Sequence, residues 1–155
     1  MVNTYHLIQE FLSLKRFAMI GVSRKTKSFS HGLYKEFLER GYDIVPVNPH
    51  LPIIEGERCF SKIQEIIPEV RAAMLLTGKS SMQQALLDCI EAKIPFVWIY
   101  GISGKQEIEP SVLRLCESHS MKIIAGYCPY MFLRDAAFFH RWHGTVSKFL
   151  GRYPS

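Results

Sequence analysis

The run Phe17-Ala-Met-Ile-Gly-Val-Ser-Arg24 is where chemistry is most readily written into this chain. An apolar stretch breaks at Gly21, and small and polar residues then lead into a loop carrying Arg24, Lys25 and Lys27. A strand that feeds a helix through such a turn aims backbone N–H groups and the positive end of the helix dipole at whatever sits above it, which is how a phosphate is held. The dinucleotide fingerprint is a different pattern. It needs G-x-G-x-x-G, whereas Ser23 occupies the second glycine position here and the next glycine is Gly32. Gly-x-Ser therefore admits two readings, a phosphate cradle and a plain tight turn between strand and helix.

Three other groups could carry chemistry. Cys128, in Tyr-Cys-Pro, is a nucleophile only if a cation or a helix start lowers its pKa, and otherwise it is a buried structural thiol. His140 and His143 stand three apart in Phe-Phe-His-Arg-Trp-His and could share a helix face, but no acid or cysteine at ligand spacing completes a metal site. No G-x-S-x-G elbow is present. The basic tail, with Arg134, Arg141, Lys148 and Arg152 among aromatic residues, lacks any motif of a nucleic-acid module.

These groups must be positioned by elements, and the hydrophobic period supplies them. Short apolar runs read as strands at residues 17–21, 43–47, 72–77, 96–100 and 122–125. Helical patterns fall between and around them, at 4–14, 32–40, 62–66, 80–93, 110–120 and 134–150. Alternation of this kind predicts an α/β, Rossmann-like doubly wound parallel sheet of about five strands, covered on both faces and joined by right-handed crossovers. Ligands of such sheets sit at the carboxyl ends of the strands, where chain order reverses. The candidate loops are then 22–30, 48–56, 78–80 and 101–105.

Composition narrows the class. A chain of 155 residues with 48% hydrophobic content fits one domain, with a helix at 4–14, a core at 17–129 and a helix at 134–150. The net charge of +5, with basic residues clustered in the first loop and the tail, suits an anionic small ligand or a weak nucleic-acid surface. The cysteines, Cys59, Cys89, Cys116 and Cys128, form no C-x-x-C pair and follow no signal-type segment, so a cytoplasmic setting with reduced thiols is expected. No apolar run approaches the length of a membrane span. Phe132, Phe138, Phe139 and Trp142 predict that the last helix packs on the sheet or forms a homo-oligomer contact.

The second loop sharpens the ligand. Pro46 and Pro49 stop the strand, and Asn48 occupies the place where a dinucleotide enzyme keeps an acid for the ribose hydroxyls. That counts against NAD and leaves room for an adenine nucleotide with a phosphorylated ribose. Taken together, Gly21-Val-Ser-Arg24, Gly41-Tyr-Asp-Ile-Val-Pro-Val-Asn-Pro49, Gly56-Glu-Arg-Cys-Phe-Ser61 and Tyr127-Cys-Pro129 resemble the small stand-alone CoA-binding domain proteins, which are similar to the N-terminal domain of the succinyl-CoA synthetase alpha subunit. The resemblance spans residues 17–129, and the string ending in Pro-Val-Asn-Pro is its most specific part.

The resemblance implies a Rossmann-type fold that binds coenzyme A or an acyl-CoA, in a family many of whose members have no demonstrated catalysis. It implies that Gly21, Val22 and Ser23 form the phosphate-facing turn, with Arg24 and Lys27 near the phosphates and Asn48 and Pro49 bordering the adenosine. The pantetheine contacts would fall on Thr77, Gly78 and Lys79 and on Gly101 and Ile102, where this chain departs from the usual runs. A non-catalytic or regulatory binding module is thus the expectation. The alternative is a small NAD(P)- or CoA-dependent enzyme using Cys128 or a histidine.

Overall fold

The structure, a computed structural model, describes residues 3–101 and 104–133. Its centre is a five-stranded parallel sheet in the order β2-β1-β5-β6-β7, formed by β1 (Arg16–Ile20), β2 (Asp43–Val47), β5 (Ala72–Leu75), β6 (Phe96–Ile99) and β7 (Lys122–Ala125). A two-residue hairpin, β3 (Ile53–Ile54) and β4 (Glu57–Arg58), stands apart from it. The chain runs outward from β1 to β2, then crosses back to β5 on the other side of β1. Chain order therefore reverses between β1 and β5, and a crevice opens there at the carboxyl ends.

The strands of the five-stranded sheet are buried on both faces except at the first residues of β2 and β7, as a covered parallel sheet requires. Alternate residues divide between two cores. Phe17, Met19, Ile44, Met74 and Trp98 pack under α1 (Thr4–Ser13) and α2 (Phe29–Glu39). Ala18, Ile20, Val45, Leu75 and Val97 pack under α3 (Lys79–Glu91) and α4 (Pro110–Ser118). Phe11 anchors the first core, its ring edge-on to Phe96 at 5.1 Å and to Trp98 at 5.4 Å. Burying a side chain of that size stabilises by about 1.5–3 kcal/mol.

The expected elements are present with shifted ends. The helix expected at 32–40 begins at Phe29, because Ser28 caps it by accepting from the His31 amide. The helix expected at 80–93 begins at Lys79, with Gly78 at its cap position. The third loop is correspondingly shorter than the sequence suggests, and Lys79 sits in the first helical turn. The hairpin is an addition, since the second loop carries no sequence expectation of strand. The helix expected at 134–150, with His140, His143 and its aromatic face, lies outside the described residues.

Residues 59 and 60 close over the outer edge of β2. The Phe60 amide donates to Pro46 O at 3.0 Å and the Asn48 amide donates to Phe60 O at 2.9 Å. Pro46, which has no N–H to offer, is thereby accommodated on an edge strand, where proline belongs.

Candidate functional site

Gly21 ends β1 at the point where chain order reverses. Its φ of +96° suits glycine, and an added Cβ would lie 2.9 Å from Thr77 Cγ2 and 3.0 Å from the Thr77 amide. The first and third loops thus meet backbone to backbone at the crevice. Gly21 and Thr77 are brought together as neighbours.

The turn itself is held more tightly than a bare phosphate cradle. The Gly21 amide donates to Val47 O at 3.0 Å, and the Ser23 amide donates to Ser30 Oγ at 3.0 Å. The Lys25 amide donates to Ser23 Oγ at 3.1 Å. Two of the three amides expected to face a phosphate therefore already have partners within the chain. The Val22 side chain is fully buried. At the start of α2 the His31 amide is taken by Ser28 Oγ, which leaves the Phe29 and Ser30 amides, ones no helix satisfies internally, beside the cations of the loop. Arg24, Lys25 and Lys27 are all exposed and stand at that helix start.

Asn48 is a clip between the first and second loops. Its Nδ2 donates to Val22 O at 2.9 Å and its Oδ1 accepts from the His50 amide at 2.9 Å. The side chain sequence reasoning places beside an adenosine thus fixes the spacing of the two loops, while Pro49 and His50 lie exposed next to it.

On the other side of the crevice, Thr77, Gly78, Lys79 and Gly101 come together in one cavity of about 300 Å³. Met82, Ile108 and Val112 give it an apolar floor, and Tyr100, Glu107 and Glu109 complete the wall. Phe29, the first residue of α2, stacks on Tyr100 with centroids 4.4 Å apart and the planes 11° from parallel. This pair ties the start of α2 to the end of β6 across the reversal point. Ile102 lies outside the described residues.

The nucleophile candidates are quiet. Cys128 is buried, and burial pushes its thiol up to about 11, although hydrogen bonds from the Tyr130 and Met131 backbone pull the other way. Cys89 and Cys116 are likewise pushed up by burial, to about 12 and about 11. A thiol in such surroundings stays protonated and unreactive. Among the described residues, no three His, Cys, Asp or Glu side chains stand where they would hold a metal ion.

Sequence reasoning passed over His31, Ser30 and Glu55. His31 is 2% exposed, with Nδ1 2.7 Å from Ser23 O and Nε2 2.6 Å from Glu55 Oε1. The legible signal was slight: a Ser-x-Ser-His string at a helix start, where hydroxyls cap and a ring can reach back to the preceding loop.

A parallel sheet whose reversal point carries a basic loop, a helix start and a facing cavity defines a Rossmann-like nucleotide-binding architecture. The family model for the CoA binding domain matches residues 15–134, and the chain belongs to that family. The alpha subunit of an ADP-forming acetate–CoA ligase from Pyrococcus furiosus is 26% identical over 130 residues, covering 79% of this chain and 28% of that subunit. The chain thus spans little more than a quarter of that relative's length. A hypothetical protein from Pyrococcus horikoshii has the same fold, with a TM-score of 0.72, 19% identity and coverage of 83% of this chain and 87% of that one. A dinucleotide-forming acetyl-coenzyme A synthetase from Candidatus Korarchaeum cryptofilum, in complex with phosphate and ADP, aligns with a TM-score of 0.65 at 19% identity, over 72% of this chain and 25% of that one. Among the described residues, no helix is long and apolar enough to cross a membrane.

Proposed function

We propose that this protein binds coenzyme A or an acyl-CoA at the carboxyl ends of its parallel strands, as a binding module rather than an enzyme. The observation that carries the reading is the triple of exposed cations, Arg24, Lys25 and Lys27, standing at the start of α2 beside the reversal point. Coenzyme A presents a pyrophosphate and a ribose phosphate, and charge-assisted hydrogen bonds to such groups are worth roughly 1.5–3 kcal/mol each before ordering costs. The absence of an acid at the end of β2, where Val47 leads into Asn48, spares a ribose phosphate the repulsion that a dinucleotide site would impose. Pro49 and His50 would border the adenine. The cavity lined by Thr77, Gly78 and Lys79 would receive the pantetheine end, with any acyl group against Met82 and Val112.

The non-catalytic part of the reading rests on reactivity. A general base or nucleophile must be able to lose its proton near working pH, and burial works against that at Cys128. His31 has both ring nitrogens engaged within the fold. The single domain over 1–155 and a homo-oligomer contact through residues 134–150 belong to the same proposal.

Ligand-induced thermal stabilisation tests it. At about 100 times the dissociation constant a ligand stabilises by about 2.7 kcal/mol, which for a chain of this size raises the melting temperature by several degrees. Coenzyme A should give that shift, dephospho-CoA a smaller one and NAD none. A clear shift with NAD and none with millimolar coenzyme A would reverse the assignment.

A further inference from the structure

The cavity between α3 and the start of α4 is built from unlike parts. Its floor is Met82, Ile108 and Val112, all buried and all apolar. Its wall carries the carboxylates of Glu107 and Glu109 together with the Thr77 hydroxyl. Lys79 is the one cation among the described lining residues, and it is exposed on the first turn of α3, where water screens it. Two carboxylates against one screened cation leave the lining net negative.

The two acids are not equivalent. Glu109 is exposed, and Ser111 Oγ donates to its Oε2 at 3.4 Å. Glu107 is half-buried, and its Oε2 stands 3.4 Å from where a Cβ on the buried Gly101 would lie, so this carboxylate is set against the inner wall. Among the described residues Glu107 forms no ion pair. Thr77 turns its methyl, Cγ2, towards Gly21, and its hydroxyl donates to Met82 Sδ at 3.8 Å. A thioether is a weak acceptor, so that hydroxyl gives up little by turning to a carbonyl oxygen inside the cavity.

We infer that this cavity selects a short, uncharged acyl group of about butyryl size, with Thr77 donating to the thioester carbonyl and Glu107 turning away acyl groups that end in a carboxylate. The inference rests on the reading of this cavity as the pantetheine end of a coenzyme A site. Size sets the upper limit. At roughly 30 Å³ per heavy atom, water's share of its own liquid, a volume of about 300 Å³ holds about ten non-hydrogen atoms. The cysteamine end of the coenzyme takes about four of them, which leaves space for butyryl and none for a fatty chain. Within that limit each methylene laid on the apolar floor strengthens binding by roughly fourfold. A terminal carboxylate would instead bring a charge onto a floor that offers it no donor, beside a carboxylate of like sign.

Calorimetry with butyryl-CoA and succinyl-CoA isolates the acyl end, because the two differ by a methyl against a carboxylate and share everything else. Butyryl-CoA should bind about tenfold more tightly than acetyl-CoA and at least about tenfold more tightly than succinyl-CoA, and octanoyl-CoA should gain nothing over butyryl-CoA. Glu107→Gln should reduce the butyryl-to-succinyl ratio to about threefold or less. Thr77→Val keeps the methyl that faces Gly21 and should lower the preference for butyryl-CoA over free coenzyme A by about fivefold, the equivalent of one neutral hydrogen bond. A second readout needs no nucleotide. The butyryl thioester of N-acetylcysteamine should shift the methyl resonance of Met82 in carbon-13-labelled protein, and the succinyl thioester should not. Equal affinities for butyryl-CoA and succinyl-CoA, or ratios that the two substitutions leave in place, would overturn the inference. Failure of coenzyme A and all its acyl forms to bind would instead defeat the proposed function, and the Met82 resonance would then decide alone whether the cavity takes an uncharged acyl group.

Discussion

Arg24 and Lys27 reach solvent beside the start of α2, and neither forms an ion pair among the described residues. Cations left so are free to meet a ligand, and their contribution should be visible as salt dependence. Replacing both with alanine should weaken coenzyme A binding by about tenfold or more and flatten the dependence of affinity on ionic strength. Unchanged affinity at low salt in a folded double variant would remove these residues from the site. Cys128 is the complementary case. Its thiol, pushed up to about 11 by burial, should react slowly with iodoacetamide at neutral pH whether or not ligand is present. Cys128→Ser should cost about 1–3 kcal/mol of stability, the price of an unpaired buried hydroxyl, while leaving affinity nearly intact. Rapid labelling near pH 6.5, slowed by ligand, would place reactive chemistry at that position after all.

At the scale of the element, Gly21 and Gly41 form an internal comparison. Both have positive φ, +96° and +83°, but an added Cβ meets Thr77 at Gly21 and nothing within 4 Å at Gly41. Gly41→Ala should cost about 1 kcal/mol for the backbone conformation alone. Gly21→Ala should cost distinctly more by denaturant unfolding, because the loops on β1 and β5 must separate, and should weaken coenzyme A binding with it. Equal losses would show that the crevice is slack. The strands and most helices were legible in the sequence because each has a strong apolar period and a clear stop, Gly41 after α2 being the plainest. The hairpin was not legible. Its strands are two residues each, too short for a period, and Glu-Gly lacks the Asn-Gly or Asp-Gly signature of its turn. Of the site, the basic loop and its place in the fold could be read from spacing. The consumption of the Gly21 and Ser23 amides by Val47 and Ser30, and the bridge through His31, could not, since both depend on contacts between segments that only folding brings together.

Considered as a whole molecule, the fold keeps several acids protonated. Burial raises Cys89 to about 12, Cys116 and Cys128 to about 11, and Tyr130 to about 12. For such groups the unfolded chain releases its proton first, so their stabilisation is complete below the unfolded thiol value near 8.5 and is lost as pH climbs towards the folded values. Each buried thiol removes up to about 1.4 kcal/mol per pH unit across that window. The melting temperature should therefore decline steadily from about pH 8.5 upward, and a flat profile to about pH 10.5 would contradict this account.

The covered edge of β2 bears on how copies of this chain meet. In a parallel strand, alternate residues point both backbone groups outward, and on β2 the outward set includes Ile44 and Pro46. Pro46 has no donor, its carbonyl is taken by the Phe60 amide, and the next outward donor, on Asn48, is spent on Phe60. An incoming strand would find an interrupted template instead of a continuous ladder, and an interrupted template does not propagate. The proline that ends the Val-Pro-Val-Asn-Pro string beside the nucleotide loop thus has a counterpart, two residues into the same string, that guards the protein against β-sheet polymerisation on that side.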